Sequence, residues 1–362
     1  MIYRAIGIMS GSSLDGLDIA FATFTETGGK WEFEMMAADC IAYENQLAQK
    51  LQTATTLSAL EYQLLHVSFG HYIGRQINAF IEHYELQHKI HLISSHGHTT
   101  FHLPAHNMTA QLGDGAAIAA ETQLPVVSDL RAMDIAFGGQ GAPIVPKGEQ
   151  LLFPGYNYFL NLGGIANITI NNQGEFIGFD ICAANRVLNM LAEETGKEFD
   201  AGGNMAAGGN VNSILLATLN ELDYYKQPFP KSLANSFGTD IVYPLIKNAK
   251  LSTADALSTY SEHICLQIKN VVGVHLLSGD KKMLVTGGGA FNTFLISRLS
   301  NLLAAIGVAV IVPDEKLVAY KEALIVALLG ILRWREEANV LPSVTGATKA
   351  SIGGALWLGN EA

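Results

Sequence analysis

Two stretches of the chain share one pattern of hydrophobic and polar positions, in which three apolar runs enclose a glycine-containing tip and a polar turn. The runs read as strands, because they are short, rich in β-branched residues and bounded by polar residues or glycine. They cover residues 3–9, 17–24 and 31–36 in the first stretch, and 156–162, 165–170 and 175–180 in the second. The two stretches share almost no residue identities, so the repeat is one of pattern alone. It predicts an internal duplication in which each copy heads one lobe.

The segments that follow each stretch alternate between helical and strand patterns. In the first half, apolar residues at helical spacing over 57–86 predict one long helix or two, and short apolar runs at 90–94 and 125–128 predict strands. The second half repeats this order. Its predicted helices cover 211–222, 254–277, 319–337 and a segment after Asn292, and its predicted strands cover 283–285 and 308–312. This alternation is typical of parallel strands, so both lobes are predicted to be α/β.

The length of the chain and one glycine-rich segment indicate where the lobes divide. A chain of 362 residues is expected to form two domains. The segment 137–143, which reads Phe-Gly-Gly-Gln-Gly-Ala-Pro, is the best candidate for a boundary or crossover. We therefore expect a first lobe of residues 1–135 with 340–362, a second lobe of residues 136–339, and a cleft between them.

Composition and charge exclude several classes of partner. Apolar residues make up 49% of the chain, as in a packed globular protein. The 22 Lys and Arg against 33 Asp and Glu give a net charge of −11, and the longest basic cluster is Lys281-Lys282, which argues against nucleic acid and anionic membranes. The apolar stretch 323–334 is too short to cross a bilayer, and three widely spaced cysteines fit a reducing compartment. We expect a soluble, cytoplasmic protein.

Three glycine tips are candidate phosphate-binding segments, because glycine and small residues let backbone N–H groups turn towards an anion. The candidate residues are Gly11, Ser12, Ser13, Leu14, Asp15, Gly16, Leu17 and Asp18 in the first tip, Gly163 and Gly164 in the second, and Gly287, Gly288 and Gly289 in the third. Asp15 and Asp18 are candidate ligands of Mg²⁺ through water. Three tips around one cleft suit a nucleoside triphosphate. The alternatives are a tight turn with an Asx cap for the first tip and close strand–helix packing for the third.

Two further segments carry polar side chains next to predicted strands. Asp180 follows the third strand of the second copy, where a carboxylate could act as a general base on a hydroxyl or a water; the alternative is that it caps a helix beginning near Asn185. The segment 95–99 reads Ser-His-Gly-His-Thr after a predicted strand. Without a paired carboxylate motif, its histidines are expected to bind substrate or form hydrogen bonds rather than hold zinc.

Several motifs together resemble those of the anhydro-N-acetylmuramic acid kinase family, over nearly the whole chain. The opening segment 7–18 is similar to G-x-M-S-G-T-S-x-D-G-x-D, and 95–99 is similar to S-H-G-Q-T. The other matching segments follow in the family's order at 111–115, 128–136, 138–143, 161–169 and 341–347. The resemblance implies an α/β, two-lobed actin-like ATPase (ribonuclease H-like) fold, with duplicated α/β domains and an interlobe cleft.

The resemblance also implies a reaction and roles for residues. It implies that water opens 1,6-anhydro-N-acetylmuramic acid at C1 while O6 takes the γ-phosphate of ATP, with Mg²⁺ as cofactor, to give N-acetylmuramic acid 6-phosphate in cell-wall recycling. Asp180 would be the general base, the tip 11–18 would hold the phosphates and Mg²⁺, and 287–289 would lie by the adenosine. The implied sugar-binding residues are His96, Asp129, Arg131 and Glu322. The expected partners are this amino sugar, ATP and a second copy of the chain in a homodimer.

Two segments depart from the family's pattern. D-T-G-P-G-N is replaced by Asp-Ile-Cys-Ala-Ala-Asn at 180–185, and P-K-S-T-G-R-E is replaced by Pro-Lys-Ser-Leu-Ala-Asn-Ser at 230–236. Two other functions therefore stay open: a kinase for a related amino sugar, which substrate screening would identify, and a nucleotide-responsive binding protein that consumes no ATP with any sugar.

Overall fold

The structure is a computed structural model that describes residues 1–11, 14–229, 231–234 and 236–360. The chain divides into two compact units, Met1–Pro154 with Tyr320–Ala362 and Gly155–Ala319. The glycine-rich segment 137–143 thus lies within the first unit, as do residues 144–154 and 320–339, which the sequence pattern assigned to the second lobe. The predicted lobe boundaries at residues 135 and 340 stay a prediction.

The first unit is built on a seven-stranded mixed sheet. Its strands are β1 (Ile2–Ser10), β2 (Gly16–Thr27), β3 (Lys30–Ala42), β4 (Leu92–Leu103), β5 (Met108–Leu112), β6 (Val126–Ser128) and β12 (Ala355–Trp357). The sheet order is β12-β6-β4-β1-β2-β3, with β5 paired to β4. Strands β1, β2 and β3 are antiparallel neighbours, whereas β4 and β6 run parallel to β1.

The helices of the first unit cover this sheet. They are α1 (Asn45–Gln52), α2 (Ala59–His83), α3 (Gly115–Thr122), α4 (Ala132–Ala136), α5 (Val145–Leu152), α12 (Glu315–Trp334, from Tyr320 onward) and α13 (Pro342–Thr345), with 3₁₀ turns at Ala54–Thr56 and Pro104–His106. Ser58 caps α2 in a capping box with Glu61, which explains where this helix begins. Phe69, Ile73 and Ile77 of α2 are buried in the first core, at the helical spacing the sequence shows.

The second unit is built on a five-stranded mixed sheet with the order β11-β10-β7-β8-β9. Its strands are β7 (Tyr158–Leu162), β8 (Ile165–Asn172), β9 (Glu175–Ala183), β10 (Lys281–Thr286) and β11 (Val308–Ile311). Its helices are α6 (Asn185–Glu193), α7 (Asn204–Ala207), α8 (Ser213–Asn220), α9 (Tyr243–Asn248), α10 (Thr253–Val274) and α11 (Thr293–Ala304). Three 3₁₀ turns lie at Ala201–Gly203, Asp223–Lys226 and Gly288–Phe291, and a π-helical turn lies at Phe237–Val242.

The two sheets share one topology. In each, three antiparallel strands in the order 3-2-1 are extended by two parallel strands next to the first strand. This order is that of the ribonuclease H-like fold, which actin-like ATPases contain twice. The predicted α/β class and the predicted duplication are therefore confirmed, and the duplication is visible in topology although the sequences of the copies have diverged.

Helix α12 packs tightly on the sheet of the first unit because glycines make room for it. A Cβ on Gly7 in β1 would clash with the backbone oxygen of Ala323, and a Cβ on Gly330 would lie 2.5 Å from Cβ of Ser94 in β4. Such close approach buries residues 323–332 almost completely. No helix in the described part of the chain is long and apolar enough to cross a membrane, so the apolar run 323–334 is an internal helix.

Two expectations about strand ends need correction. Strand β4 starts at Leu92 and continues to Leu103, so the segment 95–99 lies inside the strand rather than after it. Strand β9 continues to Ala183, so Asp180 lies three residues before the strand ends. In both cases pairing with a neighbouring strand, β5 or β8, extends the strand beyond its apolar run.

Candidate functional site

Gly16, in the first glycine tip, packs tightly against β3. A Cβ on Gly16 would lie 2.7 Å from Cys40 Sγ and 2.8 Å from the backbone oxygen of Ile41 in β3. The N–H of Leu14 donates to the oxygen of Gly11 over 3.4 Å, and the φ of Leu14 is 58°. Packing against β3 alone therefore requires the glycine at 16.

The other predicted residues of this tip differ in how far their side chains are exposed. Ser12 and Ser13 lie outside the described residues. Leu17 is fully buried in the first core, so only its backbone is available to a ligand. Asp15 is exposed, and Asp18 is half-buried beside Cys40 in β3.

Three carboxyl groups of the first unit interact around this tip. Burial raises the pKa of Asp18 to about 6, the hydrogen bond with Cys40 lowers it, and the negative charges of Asp15 and Glu322 raise it further. Burial likewise raises the pKa of Glu322, a residue of α12. Burial and the neighbouring Asp18 raise the pKa of the Cys40 thiol to about 12, so this thiol is protonated at neutral pH. The tip thus concentrates negative charge that a cation would neutralise.

This cluster fits Mg²⁺ only as an ion shared with a ligand. Among the described residues, no three or more His, Cys, Asp or Glu side chains are arranged to hold a metal ion. Mg²⁺ commonly keeps several waters and is held by one or two carboxylates together with the phosphates of a substrate. Asp15 and Asp18 can supply those carboxylates.

A buried hydrogen-bond network lies at the end of β1, next to the first tip. The hydroxyl of Tyr43 donates to Ser10 Oγ over 2.7 Å, and Ser10 Oγ lies 3.3 Å from Nδ1 of His98 in β4. Burial lowers the pKa of His98, which favours a neutral ring. The network fixes the point where the tip leaves the sheet. Tyr43 was not anticipated, because no motif connects it with Ser10.

Arg131, His96 and Gly141 form a second network in the first unit. Arg131 Nε donates to Nε2 of His96 over 2.8 Å, and Arg131 Nη1 donates to the oxygen of Gly141 over 2.6 Å. His96 Nδ1 lies 2.9 Å from the oxygen of Gly97, which can only accept, so Nδ1 carries the hydrogen of this ring. Burial and the charge of Arg131 lower the pKa of His96 to about 3. His96 is therefore a neutral acceptor that orients Arg131.

The four predicted sugar-binding residues are only partly brought together. Burial lowers the pKa of Arg131 to about 10, and the charge of Glu322 opposes this shift, so these two groups lie within electrostatic range. With His96 they form one cluster. Asp129 is exposed, has a φ of 57°, and accepts a hydrogen bond of 2.6 Å from Ser128 Oγ.

The second and third glycine tips meet within the second unit. A Cβ on Gly289 would lie 2.7 Å from Cβ of Leu162 and 2.9 Å from Oδ1 of Asn185, and a Cβ on Gly287 would clash with Oδ1 of Asn161. Asn185 Nδ2 also donates to the oxygen of Leu162 over 2.8 Å. Gly287 has a φ of 83°, which only glycine adopts without strain. Close packing therefore accounts for Gly287 and Gly289.

Gly163, Gly164 and Gly288 are under weaker steric limits. A Cβ on Gly288 would make only an ordinary contact at 3.7 Å with Asn185, and one on Gly164 would lie 3.8 Å from Arg186 Cβ. The oxygens of Gly163 and Gly164 accept hydrogen bonds from the N–H groups of Asn185 and Ala184, at 3.1 and 2.8 Å. These carbonyls therefore hold the start of α6, and packing alone does not require glycine at 163, 164 or 288.

Asp180 lies in a bulge of β9, which sets the direction of its side chain. Asp180 pairs with Asn167 and Cys182 pairs with Ala166, so Ile181 is an extra residue in this strand. The N–H of Leu233 donates to Asp180 Oδ2 over 2.9 Å. Burial raises the pKa of Asp180, and the Leu233 hydrogen bond partly offsets this shift. A desolvated carboxylate held at one oxygen suits a general base.

The helix-cap alternative for Asp180 is wrong. The residue before α6 is Ala184, and α6 has no side-chain cap. Asp180 instead holds residues 231–233 in place, because the backbone N–H of Asp180 donates to the oxygen of Lys231 over 3.0 Å, in addition to the hydrogen bond from Leu233. Tyr224 donates to the oxygen of Asp180 over 2.7 Å, and Lys231 Nζ lies 4.4 Å from the centre of the Tyr224 ring. Tyr224 was missed in the sequence, where nothing distinguishes it from other aromatic residues.

Comparison with known proteins identifies relatives along the whole chain. A family model described as anhydro-N-acetylmuramic acid kinase matches residues 3–359. The anhydro-N-acetylmuramic acid kinase of Hydrogenovibrio crunogenus is 35% identical over 97% of this chain and 97% of its own length. The corresponding proteins of Photobacterium profundum and Synechococcus elongatus are 32% and 30% identical, over 98% and 96% of this chain and 99% and 98% of their own lengths.

Solved structures show more distant likenesses. The activator of 2-hydroxyisocaproyl-CoA dehydratase from Clostridium difficile, with bound ADPNP, has a TM-score of 0.45 and 14% identity, over 92% of this chain and 96% of that chain. Component A of the (R)-2-hydroxyglutaryl-CoA dehydratase of Acidaminococcus fermentans has a TM-score of 0.47 and 14% identity, over 91% of this chain and 97% of that chain.

Proposed function

The chain belongs to the anhydro-N-acetylmuramic acid kinase family, and from this membership we propose that it is a sugar kinase that uses ATP to open and phosphorylate 1,6-anhydro-N-acetylmuramic acid. The product would be N-acetylmuramic acid 6-phosphate, an intermediate of cell-wall recycling. The observation that carries the proposal is the carboxylate of Asp180, which is half-buried and held at one oxygen by Leu233.

The proposed reaction couples a hydrolysis to a phosphoryl transfer. Asp180 takes a proton from water as the water oxygen bonds to C1 of the sugar. The C1–O6 bond breaks, and its electron pair stays on O6. O6 bonds to the γ-phosphorus of ATP as the bond to the β-phosphate oxygen breaks and ADP leaves. General-base assistance of this kind contributes about 10²–10⁴-fold to a rate.

The glycine tips would bind the nucleotide. Backbone N–H groups of the tip 11–18 would face the phosphates, and Asp15 and Asp18 would hold Mg²⁺, which when bound neutralises charge that develops on the phosphates. The tips at 163–164 and 287–289 would approach the phosphates and the adenosine. Gly163, Gly164 and Gly288, which packing does not require to be glycine, support this assignment best.

Arg131, oriented by neutral His96, would bind the sugar together with Glu322 and Asp129. The half-buried Arg131 presents a fixed fork of donors, which suits ring oxygens and a carboxylate of an amino sugar acid. The proposal extends to cytoplasmic location, to a homodimer without nucleic-acid or membrane partners, and to the lobe division at residues 135 and 340. Its support is the net charge of −11 and the matching family motifs.

The test is turnover in H₂¹⁸O with ATP, Mg²⁺ and the anhydro sugar. We expect ADP and sugar phosphate in equal amounts, with ¹⁸O at C1 and none in the phosphate. Asp180→Asn should lower turnover about 10²–10⁴-fold while ATP affinity and melting temperature stay close to those of the wild type. If the protein consumes ATP with a related amino sugar but not with the anhydro sugar, the related sugar is its substrate. ¹⁸O in the phosphate would refute the proposed order of bonds.

A further inference from the structure

Arg186 lies beside the second glycine tip with part of its guanidinium buried and unpartnered. Its Nε is buried and has no hydrogen-bond partner among the described residues. The side chain runs between two glycines: a Cβ on Gly164 would lie 3.9 Å from Arg186 Nε, and a Cβ on Gly238 would lie 4.0 Å from Arg186 Cδ. The backbone N–H of Arg186 points at the oxygen of Gly164, at 3.4 Å. The backbone and the aliphatic part of the Arg186 side chain therefore hold the guanidinium next to the tip.

An arginine in this state needs an acceptor. A guanidinium has only donors, and a buried donor without an acceptor loses its hydration with no compensation. Arg298 in the same unit shows the usual solution, because Glu262 accepts two hydrogen bonds from it at 2.6 and 2.7 Å. No carboxylate of the described residues forms an ion pair with Arg186. The missing acceptor is therefore expected from a ligand.

We propose that Arg186 binds phosphate oxygens of the nucleotide at the Gly163–Gly164 tip. The inference rests on the proposed function, which places a nucleoside triphosphate at this tip. Phosphate is a good partner for a guanidinium, because two of its oxygens can accept parallel N–H bonds. None of the three tips contains a lysine or an arginine, so these backbone loops provide no positive charge of their own. Arg186 supplies one from the first turn of α6.

The test measures nucleotide affinity by calorimetry for the wild type, Arg186→Gln and Arg186→Lys, with ATP, ADP and adenosine as probes. Charged hydrogen bonds of this kind correspond to about 10- to 100-fold in affinity. We expect Arg186→Gln to lose that factor for ATP and ADP and to keep the wild-type affinity for adenosine. Arg186→Lys should recover part of the loss, because it keeps the charge but not the fork of donors. Lys269→Gln, on α10, is the control with the same change of charge.

The outcomes separate this inference from the proposed function. A wild-type chain that binds neither ATP nor ADP overturns both. If the wild type binds ATP and Arg186→Gln binds it equally well, the inference alone is overturned. An equal loss of affinity for adenosine also overturns it, because the contact would then not be to phosphate. If Arg186→Gln does not fold, Arg186→Lys decides: an unchanged ratio of ATP to adenosine affinity overturns the inference.

Discussion

Replacing Asp18 by asparagine should make the protein more stable in the absence of nucleotide. In the folded chain, burial is the largest cause that raises the pKa of Asp18, from 3.8 to about 6, and the charges of Asp15 and Glu322 add to it. The folded state therefore binds the proton more tightly than the unfolded state. The free energy of unfolding therefore falls as the pH rises from 3.8, the pKa in the unfolded chain, through about 6. A salt-bridged carboxylate has the opposite effect. Asparagine removes this cost because it has no charge to bury.

The expected gain follows from the two pKa values. A shift of about two units corresponds to about 3 kcal/mol of unfolding free energy at pH 8, where Asp18 is ionised in both states. At pH 4 the gain from the substitution falls to about 0.6 kcal/mol, because Asp18 is then protonated in the folded state and about half-ionised in the unfolded state. Asp15→Asn is the matched control. Asp15 is exposed in the same tip, so its replacement should change the unfolding free energy by no more than about 0.5 kcal/mol.

Urea unfolding of the wild type and both variants at pH 8 and pH 4, without nucleotide, measures these differences. Addition of Mg²⁺ and ATP at pH 8 should then stabilise the wild type more than Asp18→Asn, because the carboxylate that is costly alone becomes a ligand of the ion. The reasoning is wrong if Asp18→Asn brings no gain at pH 8, or if its gain is the same at both pH values. An equal response of both proteins to Mg²⁺ and ATP would remove Asp18 from the metal site.

Two further predictions concern buried charges of the first unit. Glu149→Gln should lower the unfolding free energy by about 3 kcal/mol in urea titrations, because Lys321, only 4% exposed, loses the carboxylate 2.7 Å from its ammonium group and keeps only the more distant charge of Glu322. Adding Lys321→Met should restore most of the loss. Arg131→Lys should raise KM for the anhydro sugar about tenfold and leave KM for ATP unchanged. The reason is that a lysine cannot donate to both His96 and Gly141 in the geometry of the arginine. Equal changes in both KM values would contradict this role of Arg131.

The parts of the fold that could be predicted are those set by neighbouring residues. The strand–tip–strand pattern identifies β1 with β2 and β7 with β8, because alternation, glycines and turn residues act over a few positions. The apolar stripe of α2 is likewise visible in the sequence. Even there, pairing with another strand decided where β4 and β9 end, and no local signal records this pairing.

The contacts that define the candidate site join residues far apart in the chain. Asp180 is held by Leu233, 53 residues later, and His96 accepts a hydrogen bond from Arg131, 35 residues later. The spacing of residues predicts that an acid or a glycine is present, but burial and partners decide its protonation and direction. This is why the helix-cap role of Asp180 was a reasonable alternative in the sequence and fails in the structure.

The departures from the family's motifs at residues 181–184 and at Leu233 leave the candidate carboxylate in place. The side chains that replace Thr-Gly-Pro-Gly are nearly inaccessible and belong to the second core; they are Ile181, Cys182, Ala183 and Ala184. At position 233, leucine holds Asp180 through its backbone N–H, a group that every residue except proline provides. The replacements therefore change the packing that supports the bulge of β9 and keep the group that holds Asp180. Because the proposed chemistry depends on that carboxylate and its orientation, these residue replacements are compatible with the reaction of the family.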